Sequence, residues 1–218
     1  MCFFVSKRNY KEEYKMNSIK FDGKDIYPSK IVCIGRNYVD HIEELHNEVP
    51  KQPIIFIKPN SSISKNIYSN KNDVIHYEGE ISFLISSDKL KGVGFGLDLT
   101  KREVQSNLRS KGLPWERAKS FDKSAVFSEF VTFRGNISDL NMELYINSSL
   151  VQKGGCDLML NKPGEILNEV AGFPSFEDGD LIMTGTPKGV GPIKSGDKFN
   201  GKIFEKRKLV VEGCWVVK

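Results

Sequence analysis

HYEGEISFLISSDKLKGVGFGLDLT, residues 76–100, decides the fold. Two strand-like runs lie in it, Ile81–Ile85 and Val93–Asp98, rich in Ile, Val and Phe and bounded by Gly and Asp. Glu78-Gly79-Glu80 opens the first run and Asp98 closes the second. Side chains two apart on a strand face the same side, so Glu78 and Glu80 converge. Two like charges that close repel unless a cation sits between them. With Asp98 they offer three oxygen ligands without Cys or a paired His, a set that favours Mg²⁺ or Mn²⁺ over Zn²⁺. On spacing alone, Glu78 and Glu80 also fit the solvent face of an alternating strand.

The same signals recur outward. Strands are expected at Ile31–Ile34, Ile54–Ile57, Met142–Ile146, Leu181–Thr184 and Leu209–Val211. Helices are expected over about Tyr38–His46, from Thr100 to about Lys111, and from Pro163 to before Gly172. Thr100-Lys101-Arg102-Glu103 has capping-box spacing, and Pro163 suits a first helical turn. Strands outnumber helices and do not alternate with them regularly. That predicts an α+β, mostly β architecture and excludes a doubly wound sheet. Residues 1–15 read as an N-terminal extension with Met16 as an alternative start, and 16–218 as a single domain.

The 218 residues carry 39% apolar residues and a net charge of +4, enough for a core and too little charge to argue for nucleic acid. No run approaches the roughly 18 apolar residues of a membrane span. The apolar patch Cys2–Val5 is too short for a signal peptide. Cysteines 2, 33, 156 and 214 form no CxxC pair and read as reduced thiols, which predicts a cytoplasmic protein.

Two further clusters carry chemistry. Gly35-Arg36-Asn37-Tyr38 leads to Asp40-His41 and Glu44. His41 and Glu44 are three apart and share a helix face. A carboxylate beside imidazole fixes its tautomer and raises its basicity, as a general base requires; the alternative is two exposed helix residues. Gly112-Leu113-Pro114-Trp115 leads to Lys119-Ser120-Phe121, where Lys119 could steady a developing anion. Three other motifs are discarded. Gly92-Val93-Gly94-Phe95-Gly96 has GxGxG spacing, not GxGxxG, and 185–191 is glycine-rich without a P-loop ending. Lys206-Arg207-Lys208 reads as a solvated turn.

Together these segments resemble the fumarylacetoacetate hydrolase family, and most closely its small single-domain acylpyruvase and oxaloacetate-processing members. The matching stretches, in order, are KIVCIGRNYVDHIEEL (30–45), PIIFIKP (53–59), HYEGEISFLI (76–85), GLDLTKREVQ (96–105), KGLPWERAKSFDKS (111–124) and GDLIMTGTPKGVGP (179–192). The resemblance implies a mixed β-sandwich or β-roll and a homodimer. It implies metal ligands at Glu78, Glu80 and Asp98, and catalytic residues at His41, Glu44 and Lys119. Substrate contacts would fall on Arg36, Gln105 and Thr186, with Arg102 and Lys58 as weaker matches. Two departures stand out: His76-Tyr77 where the family often has His-His, and Ser124-Ala125-Val126 where it often has Ser-Cys-Pro. The implied activity is metal-dependent cleavage of acylpyruvates to pyruvate and a carboxylic acid. Oxaloacetate decarboxylation or keto–enol tautomerisation at the same site is the alternative. A non-catalytic metal-bound module and a nucleic-acid binder are the readings from other classes.

Overall fold

The computed structural model describes residues 16–70 and 73–218. The expected extension 1–15, with Cys2, lies outside the described residues. The architecture is mostly β, as expected. The main sheet runs Ile54–Pro59, Lys30–Gly35, Leu181–Met183, Gly79–Ser86, Lys89–Asp98, Ala125–Phe127 and Ile63–Ser64, with Val131–Thr132 added against Lys89–Asp98. A four-stranded sheet covers it, in the order Ser149–Gly155, Leu140–Ile146, Lys198–Glu205 and Lys208–Val216.

The short apolar runs follow from burial on both faces. In Lys30–Gly35, Ile31 and Cys33 pack on one side with Phe56, Leu181 and Met183. Val32 and Ile34 pack on the other with Ile166 and Val170 of the helix α4 (Pro163–Val170). A strand buried on both faces reads as a continuous apolar run rather than an alternating one. The core between the sheets joins Phe83, Phe95 and Leu97 to Met142, Leu144, Phe199 and Ile203.

The glycines 92, 94 and 96 have a packing role and not a nucleotide-binding one. They alternate along one face of Lys89–Asp98, where aromatic rings approach the backbone closely. A Cβ would come within 2.8 Å of Phe21 at Gly92, 3.0 Å of Phe130 at Gly94 and 3.0 Å of Phe127 at Gly96.

Two helix boundaries differ from expectation. The helix α1 spans Val39–Glu44, and Tyr38 instead bridges to Met159. The helix α2 spans Arg102–Ser110, and the Thr100 capping box does not form. Thr100-Lys101 is a short strand paired with Ile75–Tyr77, and the Thr100 hydroxyl is taken up by Lys119 at 2.6 Å. Tertiary structure overrides the local cap. Pro163 does open α4, and 206–207 form the tight turn between the last two strands.

One buried carboxylate anchors the sheet. Asp180 accepts from Ser29 N at 3.0 Å, Ser29 Oγ at 2.8 Å, Lys30 N at 3.1 Å and Glu177 N at 2.9 Å, and pairs with Lys30 Nζ. Burial would raise its pKa, but the hydrogen bonds from Lys30, Glu177 and Ser29 outweigh it and hold it below the usual value. Asp180→Ala should therefore lower the unfolding free energy by about 2–4 kcal/mol at neutral pH. A depressed carboxylate stabilises above its unfolded pKa and loses that stability as pH falls through the folded one. Urea titrations at pH 7 and at progressively lower pH should show the gap between wild type and variant closing in acid. A gap that stays constant would refute the assignment.

Candidate active site

Strand direction brings the site together. Leu181–Met183 runs parallel to Lys30–Gly35 and antiparallel to Gly79–Ser86, and Gly79–Ser86 runs antiparallel to Lys89–Asp98. The ends at Gly35 and Met183, the start at Gly79 and the end at Asp98 therefore meet at one edge. Asp98 N donates to Glu78 O at 2.9 Å, so the two carboxylates face each other across strands. Glu78, Glu80 and Asp98 each offer an oxygen within 4.8 Å of the others, and all three are buried.

Cations surround two of the three. Lys119, at the end of α3 (Glu116–Lys119), donates to Glu78 Oε2 at 2.7 Å, Asp98 Oδ2 at 2.6 Å and Thr100 Oγ1 at 2.6 Å. Arg102 pairs with Glu78 Oε1. Lys58 Nζ lies 2.8 Å from Asp98 Oδ1, although that oxygen has no partner in hydrogen-bond geometry. Burial would raise the Glu78 pKa, but Lys119, Arg102 and His41 hold it far below the usual carboxylate range. Burial would lower the Lys119 pKa, and the Asp98 and Glu78 carboxylates raise it instead. Among the described residues Glu80 makes no ion pair; Gly185 N donates to its Oε2 at 2.7 Å. Burial, then the charges of Asp98 and Glu78, push its pKa well above normal.

The residues fit a divalent cation. A buried carboxylate without a counter-cation is costly, and Glu80 is in no ion pair among the described residues. The all-oxygen donor set suits a hard ion such as Mg²⁺ or Mn²⁺.

Next to the triad, His41 on α1 is buried, and its Nδ1 lies 3.0 Å from Glu44 Oε2. That contact leaves Nε2 as the nitrogen available to the cavity that His41 lines. The glycine-rich segment 185–191 supplies backbone donors to both halves of the site. Gly185 N holds Glu80, and Gly189 N donates to Glu44 Oε1 at 2.9 Å. Both glycines sit at positive φ, 95° and 99°, a region where side chains are disfavoured.

The family model described as fumarylacetoacetate (FAA) hydrolase C-terminal matches residues 30–213. The chain belongs to the fumarylacetoacetate hydrolase family. The mitochondrial oxaloacetate tautomerase FMP41 of Saccharomyces cerevisiae is 34% identical, over 84% of this chain and 90% of its own. The oxaloacetate tautomerase YcgM of Escherichia coli is 35% identical, over 84% of this chain and 94% of its own. A Pseudomonas aeruginosa fumarylpyruvate hydrolase, solved with Mn²⁺ and pyruvate, superposes with a TM-score of 0.82 at 25% identity, covering 93% and 97% of the two chains.

Within this family fold, one narrow cavity is lined by Arg36, His41, Glu78, Asp98, Arg102, Gln105, Lys119 and Thr186. The expected substrate contacts are therefore brought together around the triad and His41. All three carry other bonds as well; Arg36 Nη1 donates to Glu48 O at 3.4 Å. Thr186 Oγ1 donates to Gly79 O at 2.8 Å, and Gln105 Oε1 accepts from Arg102 at 2.6 Å. Lys58 is not on the cavity wall. It is fully buried and bonds Ser124 Oγ at 2.9 Å and the Lys119 carbonyl, beneath Asp98. Lys119 also differs from a free oxyanion donor, because its three N–H groups already face Glu78, Asp98 and Thr100.

The two sequence departures lie in packing. Tyr77 stacks edge-on against Phe199 at 5.5 Å, and Ala125 pairs with Asp98 inside the sheet. The buried cysteines are not nucleophiles. Burial pushes Cys156 up to about 12 and Cys33 well above its usual value. Sequence reading missed Arg109, Asn47 and the amides of Gly185 and Gly189, since none belongs to a recognisable spacing.

Proposed function

We propose that this protein is a divalent-metal-dependent oxaloacetate keto–enol tautomerase. The observation that carries the reading is the pair of named oxaloacetate tautomerases that match over most of both chains, on a site that joins an acid–base dyad to an oxygen-ligand triad. The sequence-based order, acylpyruvate hydrolysis first, is therefore reversed. Glu78, Glu80 and Asp98 would hold the ion, which supplies Lewis-acid polarisation of a 2-oxo group.

The chain's own residues do the rest. Interconverting keto and enol forms moves one proton between C3 and the oxygen on C2: a C3–H bond is exchanged for an O–H bond, and no carbon–carbon bond is broken. His41 Nε2 is the group placed to carry that proton, and Glu44 steadies the imidazolium through Nδ1. Lys119 offsets the negative charge of the two carboxylates it bridges and holds them in place, as a positioning residue. The second reading, hydrolysis of acylpyruvates, is favoured by one feature: a His–Glu pair is also what water activation requires.

The deciding measurement follows the ultraviolet absorbance of enol-oxaloacetate with Mg²⁺ or Mn²⁺, with EDTA controls and an assay for pyruvate. Metal-dependent equilibration without pyruvate is the expected result. Pyruvate from oxaloacetate would mean decarboxylation, and pyruvate from acetylpyruvate would establish hydrolysis. His41→Ala should slow proton transfer about 10²–10⁴-fold while Mn²⁺ binding persists; an unchanged rate would remove His41 from the mechanism.

A further inference from the structure

Two arginines at the cavity mouth are unaccounted for by the triad and the dyad. Arg36 follows Gly35 at the start of the α1 connection, and Arg109 lies in the last turn of α2. Both are half-buried and line the inner cavity with His41 and Glu78. Both also line the wider groove that opens outward past Trp115 and Leu113. Arg102, the third guanidinium nearby, is committed to Glu78 and Gln105. Arg36 and Arg109 meet only neutral oxygens among the described residues. Arg36 Nη1 donates to Glu48 O at 3.4 Å, and Arg109 Nη2 donates to Asn47 Oδ1.

Their setting is unfavourable without an anion. Burial and the charges of Arg36 and Arg102 together depress the Arg109 pKa, the mark of cations crowded on one wall. Arg36 is held at φ 55°, a left-handed conformation that is uncommon for a bulky side chain and persists where the surroundings impose it.

We propose that Arg36 and Arg109 form an anion subsite for the second carboxylate of a dicarboxylic 2-oxo acid, with Arg109 the residue that selects it over a monocarboxylate. The proposal rests on the tautomerase reading for its substrate class. A guanidinium offers a planar fork that matches a carboxylate, and Trp115 and Leu45 line the same cavity. Oxaloacetate carries such a second carboxylate; pyruvate has the same 2-oxo acid head without it.

The test is calorimetric binding of oxaloacetate and of pyruvate to the Mn²⁺-loaded protein. Wild type should bind oxaloacetate more tightly than pyruvate. Arg109→Ala should weaken oxaloacetate about 10–100-fold and change pyruvate by less than about twofold, while Arg109→Lys should restore only part of the loss. Asn47→Ala removes the loop contact of Arg109 but keeps the guanidinium, and should keep the dicarboxylate preference. Equal binding of both acids by wild type, an equal loss of both in Arg109→Ala, or the same loss in Asn47→Ala overturns the subsite. A wild type that prefers oxaloacetate without interconverting its keto and enol forms supports the subsite and refutes the tautomerase reading, so the two failures are distinguishable.

Discussion

Glu80→Gln should abolish divalent-metal uptake while making the metal-free protein more stable. The two effects have opposite signs because Glu80 is the triad carboxylate that, among the described residues, makes no ion pair. In the metal-free protein its charge is buried beside Asp98 and Glu78, and burial followed by their repulsion raises its pKa. A carboxylate with a raised folded pKa destabilises the native state progressively as pH rises above its unfolded pKa, until the folded pKa is passed. Glutamine removes that term, fills nearly the same volume and still accepts the Gly185 N–H. Metal-free Glu80→Gln should therefore melt higher at pH 8, by about 2–4 °C for each kcal/mol regained, with the advantage shrinking towards pH 5. Mn²⁺ should raise the melting temperature of wild type and leave the variant unmoved. Wild-type Mn²⁺ affinity in the variant would dismiss the triad as the metal site. A variant less stable than wild type in EDTA would show that Glu80 is not an uncompensated charge.

The site was legible in the sequence wherever one element carries a pattern. Glu78 and Glu80 share a face because a strand has period two, and Asp98 ends the strand that pairs with theirs. His41 and Glu44 sit three apart, and α1 brings them to 3.0 Å. The strands were legible as apolar runs, although Ile81–Ile85 grows to Gly79–Ser86 and Leu209–Val211 to Lys208–Val216. Polar residues extend both, and pairing with neighbouring strands admits them.

What spacing could not show depends on register between distant segments. The parallel pairing Leu181↔Ile31 delivers Gly185 to Glu80, and nothing local to 185–191 announces it. The capping box at Thr100 was a sound local signal that lost to Lys119, from 19 residues away. Lys58, a weaker match for a substrate contact, lies under Asp98 with no exposed surface. Arg109 sits in a polar helix turn indistinguishable from solvated charge until α2 packs beside the α1 connection.

Lys119→Met should produce the largest loss of stability in the metal-free protein, and the largest recovery on adding metal. Lys119 gives a hydrogen bond to Glu78 and to Asp98 at once, with 2% of its surface exposed. Breaking a buried ion pair by removing one partner costs about 3–5 kcal/mol, because the other charge stays behind unpaired. Here two carboxylates are left with less compensation, so the melting temperature in EDTA should fall by roughly 10 °C. The same loss of positive charge makes the triad a stronger cation site. Mn²⁺ should then stabilise Lys119→Met more than wild type at equal concentration, since a ligand that binds only the native state adds stability in proportion to RT ln(1 + [L]/Kd). If the tautomerase reading holds, turnover should nonetheless stay low with Mn²⁺ bound, because the cation that positions Glu78 and Asp98 is gone. Melting curves with and without Mn²⁺ separate these effects. A variant as stable as wild type in EDTA, or one that gains less from Mn²⁺, would mean that Lys119 does not hold the charge of the triad.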